Sequence, residues 1–237
     1  MSSPENLRFS IAILWCVLGF ACYYFLSQNN SFTGKFKSIF SVLDGQGNQV
    51  VLQRALGLLF LGLLSALIIA ILPGKGLQDF GLNLTFIEPL PWWSWLLVPV
   101  ILILGYFTAK SPANLQQYPQ IRMQTWTPGI LIISSISWIM FLIGYEFLFR
   151  GFVLFASLEI MNPVPAIALN TAVYAFAHFY KGPGETFGSI PAGILFCYLT
   201  LLTGNIWTAV FLHAVMALSN EWFSLKAHPD MQFKSAS

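Results

Sequence analysis

Charge is what this sequence lacks. Only 8% of its 237 residues are Asp, Glu, Lys or Arg, about a third of the share found in water-soluble domains. So few ionisable groups cannot cover a soluble surface, and a cytosolic globular protein is excluded first. The net charge of +2 is too small to attract nucleic acid. Cysteine is scarce as well. Cys16, Cys22 and Cys197 all lie inside apolar runs, and an odd count at such positions excludes a disulfide framework or a cysteine zinc cluster. The chain has no HExxH segment, no GxSxG segment and no Gly-Asp pair within an apolar run. The zincin helix and the serine and aspartyl intramembrane protease patterns are therefore unsupported. No internal repeat or low-complexity tract is present.

What fills the sequence instead is apolar: 57% of residues are hydrophobic, and they cluster into runs close to the roughly 20 residues that a bilayer crossing needs. Seven such segments are read at about 9–26, 51–73, 93–109, 128–149, 164–180, 188–203 and 205–225. Spanning segments of this kind are helical, because hydrocarbon offers backbone groups no partner. The expected fold is thus an all-α integral membrane protein, a polytopic helical bundle of about seven to eight transmembrane helices. The segment 152–160 is too short to span and is read as a separate short interfacial or re-entrant helix. The first run is too long for a signal-peptide core, and no small-x-small cleavage site follows it, so it is read as a transmembrane helix.

Pro73-Gly74, Pro89, Pro91, Pro163, Pro165 and the Gly-Pro-Gly at 182–184 mark the joints. Trp92, Trp93 and Trp95 stand at the start of the third run, as an aromatic belt at headgroup level would. With seven spans, Lys35, Lys37, Arg54, Lys110, Arg122, Lys181, Lys226 and Lys234 gather on one side, and Arg8, Lys75 and Arg150 on the other. The positive-inside rule then puts the C-terminus in the cytoplasm. Compact spans without large soluble loops suit a bacterial inner membrane. One integral unit is expected, with N-terminal helices over 1–127, a core over 128–225 and a polar tail over 226–237.

Ionisable groups within spans are costly and usually face a functional interior, and the core holds nearly all of them. Glu146 and Arg150 are spaced i, i+4 on one helix face, with the acid N-terminal to the base, the favourable order. A salt bridge accounts for Arg150. A carboxylate in such a place is also how a general base is held. Thr171, Tyr174 and His178 form one polar stripe, His178 ending its run. His213 lies well inside the last run, with Asn220 on nearly the same face and Glu221 about 80° away. Glu185 falls just after the Gly-Pro-Gly turn, where a carboxylate in a first helical turn meets the helix dipole favourably, and with Lys181 it could also line the mouth of a cavity. Glu146, His178 and His213 on three helices match the ligand set of a catalytic divalent metal such as zinc, with one position left for water. They equally suit a metal-free scheme in which a glutamate activates water and histidines bind it or the oxyanion.

At these residues the sequence resembles the CPBP family, the CAAX-protease and bacteriocin-processing (ABI) membrane proteins. Its signatures are EExxxR, FxxxH and HxxxN or HxxxD on separate helices. Here they are matched by YEFLFR at 145–150, YAFAH at 174–178 and HAVMA at 213–217. The resemblance covers about residues 128–222. It implies an intramembrane endopeptidase, with Glu146 at the second glutamate, Arg150 at the arginine, and His178 and His213 at the two histidines. Tyr145 stands where the family has its first glutamate, the one usually assigned to water activation. Tyr174 replaces the phenylalanine and Ala217 the final asparagine. Asn220 or Glu221 could supply the lost polar group from the next turn. The partners implied are the lipid bilayer and a peptide or prenylated protein substrate. The alternative is a catalytically silent relative that serves as a scaffold, an immunity protein or a partner-binding subunit for another membrane protein.

Overall fold

The computed structural model describes residues 3–234; the last three positions of the tail read at 226–237 lie outside the described residues. Among the described residues seven helices exceed ten residues, one for each apolar run. They are α1 (Pro4–Gln28), α2 (Gly45–Ile71), α3 (Trp92–Thr108), α4 (Pro128–Leu158), α5 (Pro163–Phe176), α6 (Pro183–Thr203) and α7 (Trp207–Ala227). A proline opens α1, α4, α5 and α6, the first-turn position where its missing N–H leaves no bond unmade. Among the described residues the strands are limited to β1 (Thr125–Trp126), paired in parallel with β2 (Gln232–Phe233). The chain is an all-α membrane protein. α1, α2, α4 and α6 are long and apolar enough to cross a membrane, and α3 and α5 are shorter apolar helices. Val17, Leu18 and Phe25 on α1, with Leu63, Leu67 and Ile71 on α2, are exposed; such faces suit lipid and would be liabilities in water.

One expectation is corrected. Residues 152–160 do not start a separate helix, because α4 runs unbroken to Leu158. The charged pair that appeared to close the span is buried within it, and Phe147–Val153 winds as a π-helical turn that absorbs an extra residue without a break.

The chain forms two compact units. The first comprises Met1–Cys22, Gly57–Leu90 and Ile143–Val210. Its core is aromatic and tightly stacked: Phe80 meets Phe152 edge to face at 5.8 Å, with Phe147, Ala12, Ile69 and Ile206 around them. Arg8 is buried here, not splayed toward headgroups. It donates to Glu159 at 2.7 Å and to the Pro73 carbonyl at 2.8 Å, while Lys75 reaches the other Glu159 oxygen at 3.2 Å. The second unit comprises Tyr23–Leu56, Pro91–Leu142 and Phe211–Ser237. Trp126, Ile121, Ile130, Leu43, Val50 and Leu225 make its core.

Within the first unit α2 and α4 touch backbone to backbone. A Cβ added at Gly62 would lie 2.8 Å from the Gly144 Cα, an overlap that only a main-chain shift could relieve. Gly62→Ala is expected to lower stability by about 1–3 kcal/mol, as overpacking does. Gly129→Ala, whose new methyl would meet nothing nearer than Thr127 Oγ1 at 3.8 Å, should leave it unchanged. Thermal denaturation of the two variants in detergent checks the pair.

Candidate functional site

α4 presents two neighbouring side chains in different directions, as the roughly 100° step between helical residues requires. Glu146 turns to Arg150, with Oε2 3.2 Å from a guanidinium nitrogen and both residues fully buried. Tyr145 turns to His178, its hydroxyl 3.4 Å from Nδ1 and its ring edge-on to the imidazole. Tyr145, and not Glu146, therefore faces His178.

Arg150 lies with its guanidinium 3.9 Å above the Tyr174 ring and 5.4 Å from that of Phe196. Among the described residues none of its nitrogens meets an acceptor in hydrogen-bond geometry. The ion pair and the aromatic faces hold it. Tyr174 serves twice, since its carbonyl oxygen lies 2.9 Å from His178 Nδ1. A carbonyl only accepts, so Nδ1 carries the proton and Nε2 is the acceptor nitrogen of the neutral ring. That contact fixes both tautomer and ring orientation, although the spacing of the motif had suggested only a shared stripe.

His178 stands where α5 has ended, two residues past Phe176. Gly182 then adopts a φ of +93°, and α6 begins at Pro183. Glu185 pairs with Lys181 at 3.0 Å, both partly exposed, in the first helical turn of α6, where the dipole favours it. Glu146, Arg150, Tyr174 and His178 thus belong with Tyr145 to the first unit. His213 and Asn220 belong to the second, both half-buried on α7.

Glu221 has another assignment in that second unit. Its Oε1 accepts the Ser134 hydroxyl at 2.8 Å and lies 3.4 Å from Arg54, and its Oε2 accepts Trp138 Nε1 at 3.2 Å. Arg54 also donates to Ser137 Oγ at 2.9 Å and Gln120 Oε1 at 3.1 Å, and lies 4.2 Å above the Trp138 ring. Sequence reasoning missed this cluster. Its one local trace was the i, i+3, i+4 stripe of Ser134, Ser137 and Trp138 on α4.

Of the expected zinc ligands, Glu146 and His178 lie in the first unit and His213 in the second. Among the described residues no three His, Cys, Asp or Glu side chains gather as a metal site would need, and the guanidinium beside Glu146 already opposes a second cation there.

Residues 126–219 match the family model described as type II CAAX prenyl endopeptidase Rce1-like. No match to the chain is found among curated proteins or among solved structures. The matched stretch contains the segments 145–150, 174–178 and 213–217, the π-helical turn and the Tyr145–His178 contact. The likeness of this multi-pass membrane protein to the CPBP family, that of the CAAX prenyl endopeptidases, is thus carried by residues 126–219.

Proposed function

We propose that the protein is an intramembrane endopeptidase that hydrolyses a peptide bond of a membrane-associated substrate, with prenylated peptide ends as the preferred class. The observation that carries this reading is the match of residues 126–219 to prenyl endopeptidases. Glu146 takes the proton of the attacking water as its oxygen adds to the scissile carbonyl, and returns that proton to the departing amine. His178, held by Nδ1 on the Tyr174 carbonyl, offers Nε2 as an acceptor that orients the water. The Tyr145 hydroxyl beside it is the donor suited to the oxyanion. His213 is the remaining motif residue and takes its share by resemblance alone. Seven spans on the apolar runs, a cytoplasmic C-terminus on the distribution of basic residues, and a bacterial inner membrane on the lack of large soluble loops complete the proposal.

The test is cleavage of an internally quenched farnesylated peptide by the full chain in liposomes. Glu146→Gln and His178→Ala should each lose at least about a hundredfold in kcat/KM, the scale of a missing general base. A Glu146→Gln rate equal to wild type would remove Glu146 from the chemistry.

A second reading is favoured by one specific observation: Tyr145, not a glutamate, faces His178. It makes the protein a catalytically silent relative that binds peptide. On that reading the wild type leaves the peptide intact yet binds it, and Glu146→Gln binds it equally well.

A further inference from the structure

The π-helical turn at Phe147–Val153 needs a reason to persist, because this register is rare and is usually a single turn inside an α-helix. Its defining bond runs from the Leu154 N–H to the Phe149 carbonyl, five residues back. The same carbonyl accepts a second donor from outside the helix, Nδ2 of Asn170 on α5, at 2.6 Å. Asn170 is fully buried. Its Oδ1 accepts the Cys197 thiol of α6 at 3.1 Å, which fixes the amide with its nitrogen toward the carbonyl. No motif includes Asn170 or Cys197.

We propose that Asn170 is a positioning residue, oriented by Cys197, that holds the π register of α4 and thereby the placement of Tyr145 against His178. Phe149 lies between Glu146 and Arg150 in sequence, and its ring packs on Tyr145 at 4.8 Å and on Tyr174 at 5.4 Å. Pulled toward Asn170, its carbonyl keeps Leu154 as its helical donor. Released, it can return to the N–H of Val153. That exchange moves the register by one residue and turns the helix before it by about 100°, taking Tyr145 off His178, while Glu146 and Arg150, four residues apart, stay on one face. One amide thus couples α5, which carries Tyr174 and leads into His178, to the backbone of the helix carrying the carboxylate.

The role in catalysis rests on the endopeptidase reading; the role in helix register does not, and the experiment separates them. The full chain in nanodiscs is compared as wild type, Asn170→Asp, Cys197→Ala and Cys197→Ser, by amide hydrogen exchange and by kinetics on the farnesylated peptide. Asn170→Asp keeps the shape and, as a carboxylate, removes the donor. Exchange over 147–154 should rise about tenfold, the equilibrium factor of one hydrogen bond, while the rest of the molecule keeps its protection. In the same variant kcat should fall about a hundredfold with KM little changed, as expected for a misplaced reacting group. Cys197→Ala should move both readouts in the same direction by less, and Cys197→Ser, which keeps a donor for Oδ1, should restore them. Wild-type exchange over 147–154 in Asn170→Asp, or a rise spread evenly over the molecule, overturns the proposal. Should Asn170→Asp fail to fold, the cysteine pair decides, and equal exchange in Cys197→Ala and Cys197→Ser overturns it. A wild type that leaves the peptide intact ends the endopeptidase reading, and the exchange data still judge Asn170.

Discussion

Glu221→Ala is expected to lower stability by about 3–5 kcal/mol, the scale for removing one partner of a buried ion pair. The carboxylate is the hub of the polar cluster in the second unit. Its two oxygens receive Ser134, Trp138 and the guanidinium of Arg54, and the pair is nearly inaccessible, at 3% and 1% exposure. Truncation leaves a guanidinium in an apolar interior, and Arg54 Nε already has no acceptor among the described residues. Glu221→Gln keeps an acceptor for Ser134 or Trp138 and loses the charge, so its loss should be intermediate. The double variant Arg54→Met with Glu221→Leu removes both charges together, and it should regain most of the loss, because a buried pair replaced by apolar groups of similar volume is often neutral. Denaturation midpoints of the four proteins in one detergent measure this. A Glu221→Ala variant as stable as wild type would mean that the cluster is solvated and not structural.

This cluster also marks what the sequence does not disclose. Helix positions were legible because lipid imposes long apolar runs, and α1 to α7 each fall on a run. Pairings between helices were not legible. Arg54 and Glu221 lie 167 residues apart, and nothing local ties a basic residue near the start of one run to an acid near the end of another. Read alone, Arg54 became a flanking charge and Glu221 a spare polar group beside His213. The same blindness split α4 at residue 152. A charged pair inside an apolar run looks like the end of a span until it is clear that Glu146 and Arg150 neutralise each other within it. At the candidate site the motif spacing placed Tyr145 and Glu146 in different directions, as helical geometry demands. It gave no warning that a rare backbone register and the Asn170 amide lie between the two pairs, because π turns have no sequence period of their own.

Arg150→Met is expected to be as damaging as Glu221→Ala, about 3–5 kcal/mol, and its partner variant separates strut from reagent. The guanidinium is fully buried, 3.2 Å from Glu146 and stacked over Tyr174 at 3.9 Å. Methionine fills much of the volume but strips Glu146 of the guanidinium 3.2 Å from it. Arg150→Lys keeps the charge and loses the flat face against the ring, so it should fall between wild type and Arg150→Met. Adding Glu146→Leu to Arg150→Met removes the stranded carboxylate, and most of the stability should return. The restored fold should still not cleave the farnesylated peptide, since the group proposed to activate water has gone. If the double variant is stable and cleaves at the wild-type rate, the pair is only a strut and the base lies elsewhere. If the double variant stays as unstable as Arg150→Met, the stacking of Arg150 on Tyr174 matters more than its charge. That outcome would trace the Tyr174 carbonyl, and through it the orientation of His178, to the guanidinium face.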